Sequence, residues 1–376
     1  MKRISWIIVA GLMVLGPGAA AANGSGDGRL GRALDRIVAA RGGPPGLSVV
    51  IQRGRHRQFL ARGFANLRTR RPPRANDHMR IASVAKAYSG AVALALVAEG
   101  RLRIGDTIGA RLPGLLPLAD PVTLGQALQH TGGLPDYIRS RALLERFQRD
   151  PRAYLSPQEL IAYVRDDPLD FPPGSRYHYS DTDNVVVGLM AEAATGRPYE
   201  RLLAREIYRP LGLTETSLPR TVRMPRPYLH GYEIAPNQGP EDVSKLINPS
   251  GAWASGGIVS TPLEVARFMR AYVGGRLFGR ATRRQQLHFR RGSSDPPGPG
   301  RNAAGLGVFR YRTRCGTVYG HTGSFPGYRL FAAASRNGRR SVVFSVNAQI
   351  VPGVRSERVS NAIRRAQLLA VCRTLR

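Results

Sequence analysis

The chain has 376 residues, 42% of them hydrophobic and 22% charged, with a formal net charge of +31. That length suits two lobes or one large fold, and the apolar content excludes general disorder. There is no heptad run, no collagen-like glycine period, and no apolar stretch of the ~20 residues that a membrane-spanning helix needs. Only Lys2, Lys86 and Lys245 are lysines, so the basic excess is almost entirely arginine, scattered rather than gathered into a stripe. Dispersed charge reads first as a solvated surface; weak contact with anionic wall polymers is the alternative.

In chain order, Met1-Lys2-Arg3 precedes an apolar run from Trp6 to Leu15, the breaker Gly16-Pro17-Gly18, and four alanines ending at Ala22. This order predicts a secretory signal cleaved after Ala22, hence a secreted product with no nucleic-acid partner. Residues 46–52 predict a strand, and 58–66 its hairpin partner across a Gly/Arg turn. A helix is expected over 82–99, ended by Gly100. Short helices broken by Pro and Gly follow, among them 124–129, 157–165 and 182–194. Pro262 opens a further helix to residue 272. A Gly/Pro-rich loop at 292–300 leads to strands at 306–312, 317–320, 328–334 and 341–347, then a closing helix at 354–372.

Strands at both ends around a helical middle predict an α+β fold: an antiparallel sheet built from both chain ends and flanked by helices, plus an all-helical insertion. The expected division is a signal peptide at 1–22, an α/β sheet domain at 23–85 and 250–376, and a mainly helical domain at 86–249. Cys315 and Cys372 are the only cysteines. In an oxidising compartment they are a candidate disulfide, with two buried free thiols as the alternative. Neither has a Cys or His neighbour at zinc-ligand spacing, so no metal is expected.

Three stretches can carry chemistry. Ser83-Val84-Ala85-Lys86 opens a predicted helix, where free backbone N–H groups suit a developing oxyanion. Ser83 and Lys86 are one turn apart and share a face, and a serine needs such a neighbour to become nucleophilic. By itself Ser83 could equally be a helix cap. Yet Lys86 is a lysine in a chain that almost always uses arginine, and lysine is the residue that can be tuned for proton exchange. Tyr179-Ser180-Asp181 follows a Pro-Gly turn and precedes a helix, which would aim Tyr179 into a cleft. His321-Thr322-Gly323-Ser324 ends a strand, whose margin can hold an extended peptide. Taken singly, the second and third stretches read as a cap and a turn.

The order of the three, 96 and 142 residues apart, resembles the serine beta-lactamase and penicillin-binding-protein superfamily. Within its class C beta-lactamase-like branch, the chain looks most like secreted D-alanyl-D-alanine carboxypeptidases. The resemblance runs from about Leu30 to Cys372 and includes Arg80-Ile81-Ala82-Ser83-Val84-Ala85-Lys86, His130-Thr131-Gly132-Gly133-Leu134-Pro135-Asp136-Tyr137, Gly256-Gly257 and the cysteine pair. It implies a beta-lactamase/transpeptidase-like fold and acyl transfer with no cofactor. Ser83 would attack a peptide carbonyl. Tyr179, kept partly as phenolate or strongly hydrogen-bonded by Lys86, would shuttle the proton, the choice of base between Tyr179 and Lys86 staying open. The backbone N–H groups of Ser83 and Ser324 would form the oxyanion hole. Asp181, His321, Thr322, Gly323, Trp253 and Arg310 would contact substrate, with core packing as the other role for Trp253.

Two departures stand out. Asp181 replaces the family's usual asparagine, and a carboxylate only accepts hydrogen bonds. An arginine expected on the strand before His321 is missing from its place, which Phe309 holds with Arg310 and Arg312 beside it. The leading expectation is a monomeric, penicillin-sensitive carboxypeptidase whose partner is a peptidoglycan-type peptide or a beta-lactam. The alternatives are an esterase or beta-lactamase on the same scaffold, or a penicillin-sensing protein that acylates without turnover.

Overall fold

Strands rich in Val, Ile, Phe and Ala form one seven-stranded antiparallel sheet, buried on both faces at its centre. They are β1 (Gly46–Arg53), β2 (His56–Gly63), β3 (Arg301–Ala304), β4 (Phe309–Thr313), β5 (Gly316–Phe325), β6 (Tyr328–Ala334) and β7 (Arg340–Val346), in the spatial order β2-β1-β7-β6-β5-β4-β3. The two chain ends meet where β1 pairs with β7, Leu47 opposite Val346 and Arg53 opposite Arg340. The computed structural model describes residues 28–234, 239–290, 293, 295–349 and 357–376; the predicted signal segment lies outside the described residues.

Layers of helix cover the sheet. On one face α1 (Gly28–Ala39) and α5 (Glu357–Leu375) bring Leu34, Ile37, Ile363 and Ala370 against Val49, Phe331 and Phe344. On the other, α4 (Pro262–Gly274) packs Phe268 and Met269 into a core that also takes Val50, Ala332 and Val343. Behind it α2 (Ala85–Ala98) is buried continuously from Ala85 to Leu96. A helix apolar all round must be central, and α2 packs against α3 (Asp181–Thr195). A mixed helical body thus lies against a large antiparallel sheet, as the resemblance implies.

The sequence expectations differ from the structure at places that bear on the site. The helix expected from residue 82 begins as a tight 3-10 turn, Ala82–Val84, before α2 proper. The strand expected over 317–320 continues to Phe325, because β6 pairs with it as far as Tyr328 opposite Phe325. Glycines such as Gly320 and Gly323 carry little strand propensity, and the partner strand holds them extended. The strand β3 and the helix α1 had no counterpart in the sequence reading.

Cys315 and Cys372 are bonded, their Cα atoms 5.1 Å apart, tying the β4–β5 turn to α5 across 57 residues. Closing a loop of that length stabilises by ~4 kcal/mol in the chain-entropy account. Replacing both cysteines by alanine should therefore cost about 2–5 kcal/mol of unfolding free energy. Denaturant titration with and without reductant measures this, and coincident curves would contradict it.

Candidate active site

Ser83 sits half-buried in the 3-10 turn that opens α2. The residue before it, Ala82, has φ +51°, a left-handed backbone that a non-glycine residue rarely adopts. Strand β5 passes directly against this turn. A Cβ added to Gly323 would lie 2.6 Å from the Ile81 carbonyl oxygen and 3.3 Å from the Ser83 amide nitrogen. Only glycine permits that approach.

Lys86 is 1% exposed, and its Nζ has three partners. It lies 3.3 Å from Ser83 Oγ, 2.5 Å from Asp181 Oδ1 and 3.0 Å from the Ser255 carbonyl oxygen. Three acceptors match the three N–H donors of an ammonium group. Nζ also lies 4.8 Å from the centroid of the Tyr179 ring. Ser83, Lys86, Tyr179 and Asp181 therefore share one pocket, although they come from two separate stretches of chain.

The Tyr179 ring is half-buried while its hydroxyl is covered and has no hydrogen-bond partner among the described residues. Burial, then the Asp181 charge, push this phenol well above its ordinary value, and the Ser83 hydroxyl beside it acts the other way. A standing phenolate, one form of the sequence expectation, is disfavoured here. Under the ring lies His130, centroids 4.6 Å apart, with Nδ1 2.8 Å from Asp183 Oδ2. Burial lowers the imidazole and raises the carboxyl, so the pair favours its neutral form. Asp136 accepts the backbone N–H of Asp181 at 3.1 Å. Burial, then the Asp181 charge, push Asp136 up to about 7.

On the sheet side, β4 pairs with β5 only from Gly316 to Gly320, so 321–325 has no strand on that margin. Thr322 is half-buried there and Ser324 is exposed, its hydroxyl accepting from Gln349 Nε2 at 3.3 Å. His321 is buried, its Nδ1 hydrogen donated to the Thr322 carbonyl oxygen at 2.5 Å and its Nε2 unpartnered. Burial, then the Lys86 charge, push His321 down to about 3, so the ring is neutral.

Two residues expected to contact substrate stand elsewhere. Arg310 stacks its guanidinium on Phe289 at 4.7 Å, while Phe309 borders the site with its ring 5.0 Å from that of His321. Trp253 is 4% exposed and packs on Tyr199 at 5.0 Å, with its ring edge filling the space over Gly188. It belongs to the core behind the pocket. The large apolar ring finds its burial there, against α3.

A family model described as "Beta-lactamase" matches residues 34–365. The chain belongs to the beta-lactamase family. It is a serine hydrolase of that family, related to carboxypeptidases, D-aminopeptidases and D-amino acid amidases. The D-alanyl-D-alanine-carboxypeptidase/endopeptidase AmpH of Escherichia coli K12 is 28% identical over 289 residues, covering 70% of this chain and 69% of that protein. A D-aminopeptidase of Cereibacter sphaeroides is 28% identical over 85% of this chain, which spans 59% of its length. Among solved structures, a D-stereospecific amidohydrolase from Streptomyces sp. matches with TM-score 0.78 and 29% identity, covering 90% of this chain and 97% of that one.

The sequence reading missed the shell around this family's hydroxyl and amine. Ser255, whose carbonyl holds Lys86, stands beside the quoted Gly256-Gly257, and Asp136 and His130 lie in the quoted 130–137 stretch. Asp136 yields a pH prediction. A carboxyl raised in the folded state binds its proton more tightly there than when unfolded, so stability falls between pH ~4 and ~7. Asp136→Asn should flatten that fall, by on the order of 1–3 kcal/mol between pH 5 and pH 7. Unfolding at several pH values measures it, and parallel curves for the two proteins would refute it.

Proposed function

We propose that the protein is an acyl-transferring serine peptidase that cleaves the amide bond after a D-amino acid in wall-type peptides, as a D-alanyl-D-alanine carboxypeptidase does, and that penicillins acylate it. The observation carrying this reading is Ser83 Oγ 3.3 Å from a buried lysine, beside an open strand margin. In this reading the substrate lies along 321–325, its scissile carbonyl between the N–H groups of Ser83 and Ser324. Such donors act where charge develops in the transition state.

Lys86 acts as a fixed positive charge, with its three hydrogens already committed. Tyr179, held as a neutral phenol, serves as a relay. Ser83 Oγ bonds to the carbonyl carbon as its proton passes to Tyr179 Oη, and Oη releases its own hydrogen in the same event, so that it never carries two protons. The phenol's own proton passes to the departing nitrogen as the C–N bond breaks. Water then retraces the path: as its oxygen bonds to the acyl carbon its proton passes to Tyr179 Oη, the phenol's own proton passes to Ser83 Oγ, and the acyl C–Oγ bond breaks to free the acid. No standing phenolate is needed. Export of the enzyme fits the Cys315–Cys372 bond.

A second reading, hydrolysis of D-amino-acid amides or of peptides lacking a free terminal carboxylate, is favoured by one observation. Phe309 stands where a carboxylate-binding arginine is expected, against a neutral His321. D-alanine release from an acyl-D-Ala-D-Ala peptide, set beside hydrolysis of D-alanine amide, separates the two by their kcat/KM ratio.

Intact mass after benzylpenicillin should show one acyl adduct that Ser83→Ala abolishes, together with a fall in peptidase rate of at least ~10³. Adduct formation in Ser83→Ala would refute the assignment. Asp181→Asn removes a charge that raises the Tyr179 phenol while keeping an oxygen to accept from Lys86. It should keep or raise kcat/KM and move the alkaline limb of the pH profile downwards. Complete loss of activity in a variant of unchanged melting temperature would contradict the relay.

A further inference from the structure

We propose that an arginine-lined recess at the far end of the sheet binds clustered phosphate groups, such as those of an oligophosphate or a phosphorylated envelope polymer. The recess has a volume of about 520 Å³ and is lined by Arg29, Arg53, Arg314, Arg373 and Arg376, around the Cys315–Cys372 bond. No aspartate or glutamate is among its lining residues. The arginines come from the first turn of α1, the end of β1, the β4–β5 turn and the end of α5. These elements are far apart in sequence. The disulfide sets Arg314 and Arg373, each next to a bonded cysteine, on neighbouring backbone.

Gathering like charges in one concavity is unfavourable unless something offsets it. The negative end of α5 accounts for Arg373 and Arg376. It does not account for Arg29, which sits at the positive N-terminal end of α1, where a cation is disfavoured. Nor does it account for Arg53 and Arg314. Among the described residues, none of Arg29, Arg53 and Arg314 is in an ion pair. Several arginines lining one recess offer planar guanidinium forks, a geometry that matches the paired oxygens of phosphate and binds them bidentately.

The recess is independent of the Ser83 site. Cys315 and Ser324 are nine residues apart along β5, roughly 30 Å at strand rise. A polymer held there would leave the open margin of β5 at the other end of the sheet free for substrate.

The test is calorimetric titration of the full chain with tripolyphosphate at several salt concentrations. The Arg29→Gln/Arg314→Gln variant is compared with Arg149→Gln/Arg165→Gln, which removes equal charge from exposed positions elsewhere. The recess variant should bind at least ~10-fold more weakly, with a shallower dependence on salt. The control variant should match the parent, and hydrolysis of acyl substrate should be unchanged in both. Equal weakening in the two variants, no binding by the parent at physiological salt, or equal competition per phosphate by duplex DNA would each overturn the proposal.

Discussion

The hydrogen bonding of one ammonium group organises this molecule. Lys86 Nζ is held by the turn that carries Ser83, by the carboxylate that opens α3, and by the carbonyl of Ser255. Each contact comes from a different element, so the charge joins the start of α2 to the helical body around it. A cation 1% exposed and left without partners would cost several kcal/mol. The packing of α2 against α3 and the satisfaction of this amine are therefore one event. Arginine could not replace it: a planar fork does not place three donors on one compact centre.

Around that charge the protein suppresses others. The Tyr179 phenol, the His130–Asp183 pair and the His321 ring are all driven by burial towards their neutral forms. With one fixed cation, one carboxylate against it and these groups neutral, Asp136 is left as the group that titrates near 7. In the proposed relay a proton is passed on rather than stored, which suits a phenol with an uncommitted oxygen beside a serine. The same burial leaves no charged side chain at the place where Phe309 meets His321.

The two ends of the sheet are built differently. At one, β5 outruns β4 and leaves an unpaired margin against the strained Ala82 backbone. At the other, a disulfide pins the β4–β5 turn to α5 and gathers arginines that the sequence scatters over the whole chain. A signal that looks like compositional bias along the chain becomes a local concentration once the chain is folded. The burial of Trp253 is the reverse case: a residue placed by the sequence near the cleft is drawn into the core by its own apolar area.

The sequence by itself determined the sheet-helix-sheet order, the cysteine pair and the family resemblance, because apolar runs, turn residues and short motifs are local signals. It also singled out Lys86, through a lysine kept where arginine is the habit. The tertiary structure decided the rest. Whether β5 stops at Gly320 or runs to Phe325 depends on β6, which lies beyond it in the chain. Whether Phe309 or Arg310 borders the cleft depends on which side of one strand faces His321, a parity that pairing sets. The protonation of Tyr179, His321 and Asp136 depends on burial and, for His321 and Asp136, on charges dozens of residues away in the chain. Desolvation and Coulomb forces act through space, and no local pattern of letters encodes them.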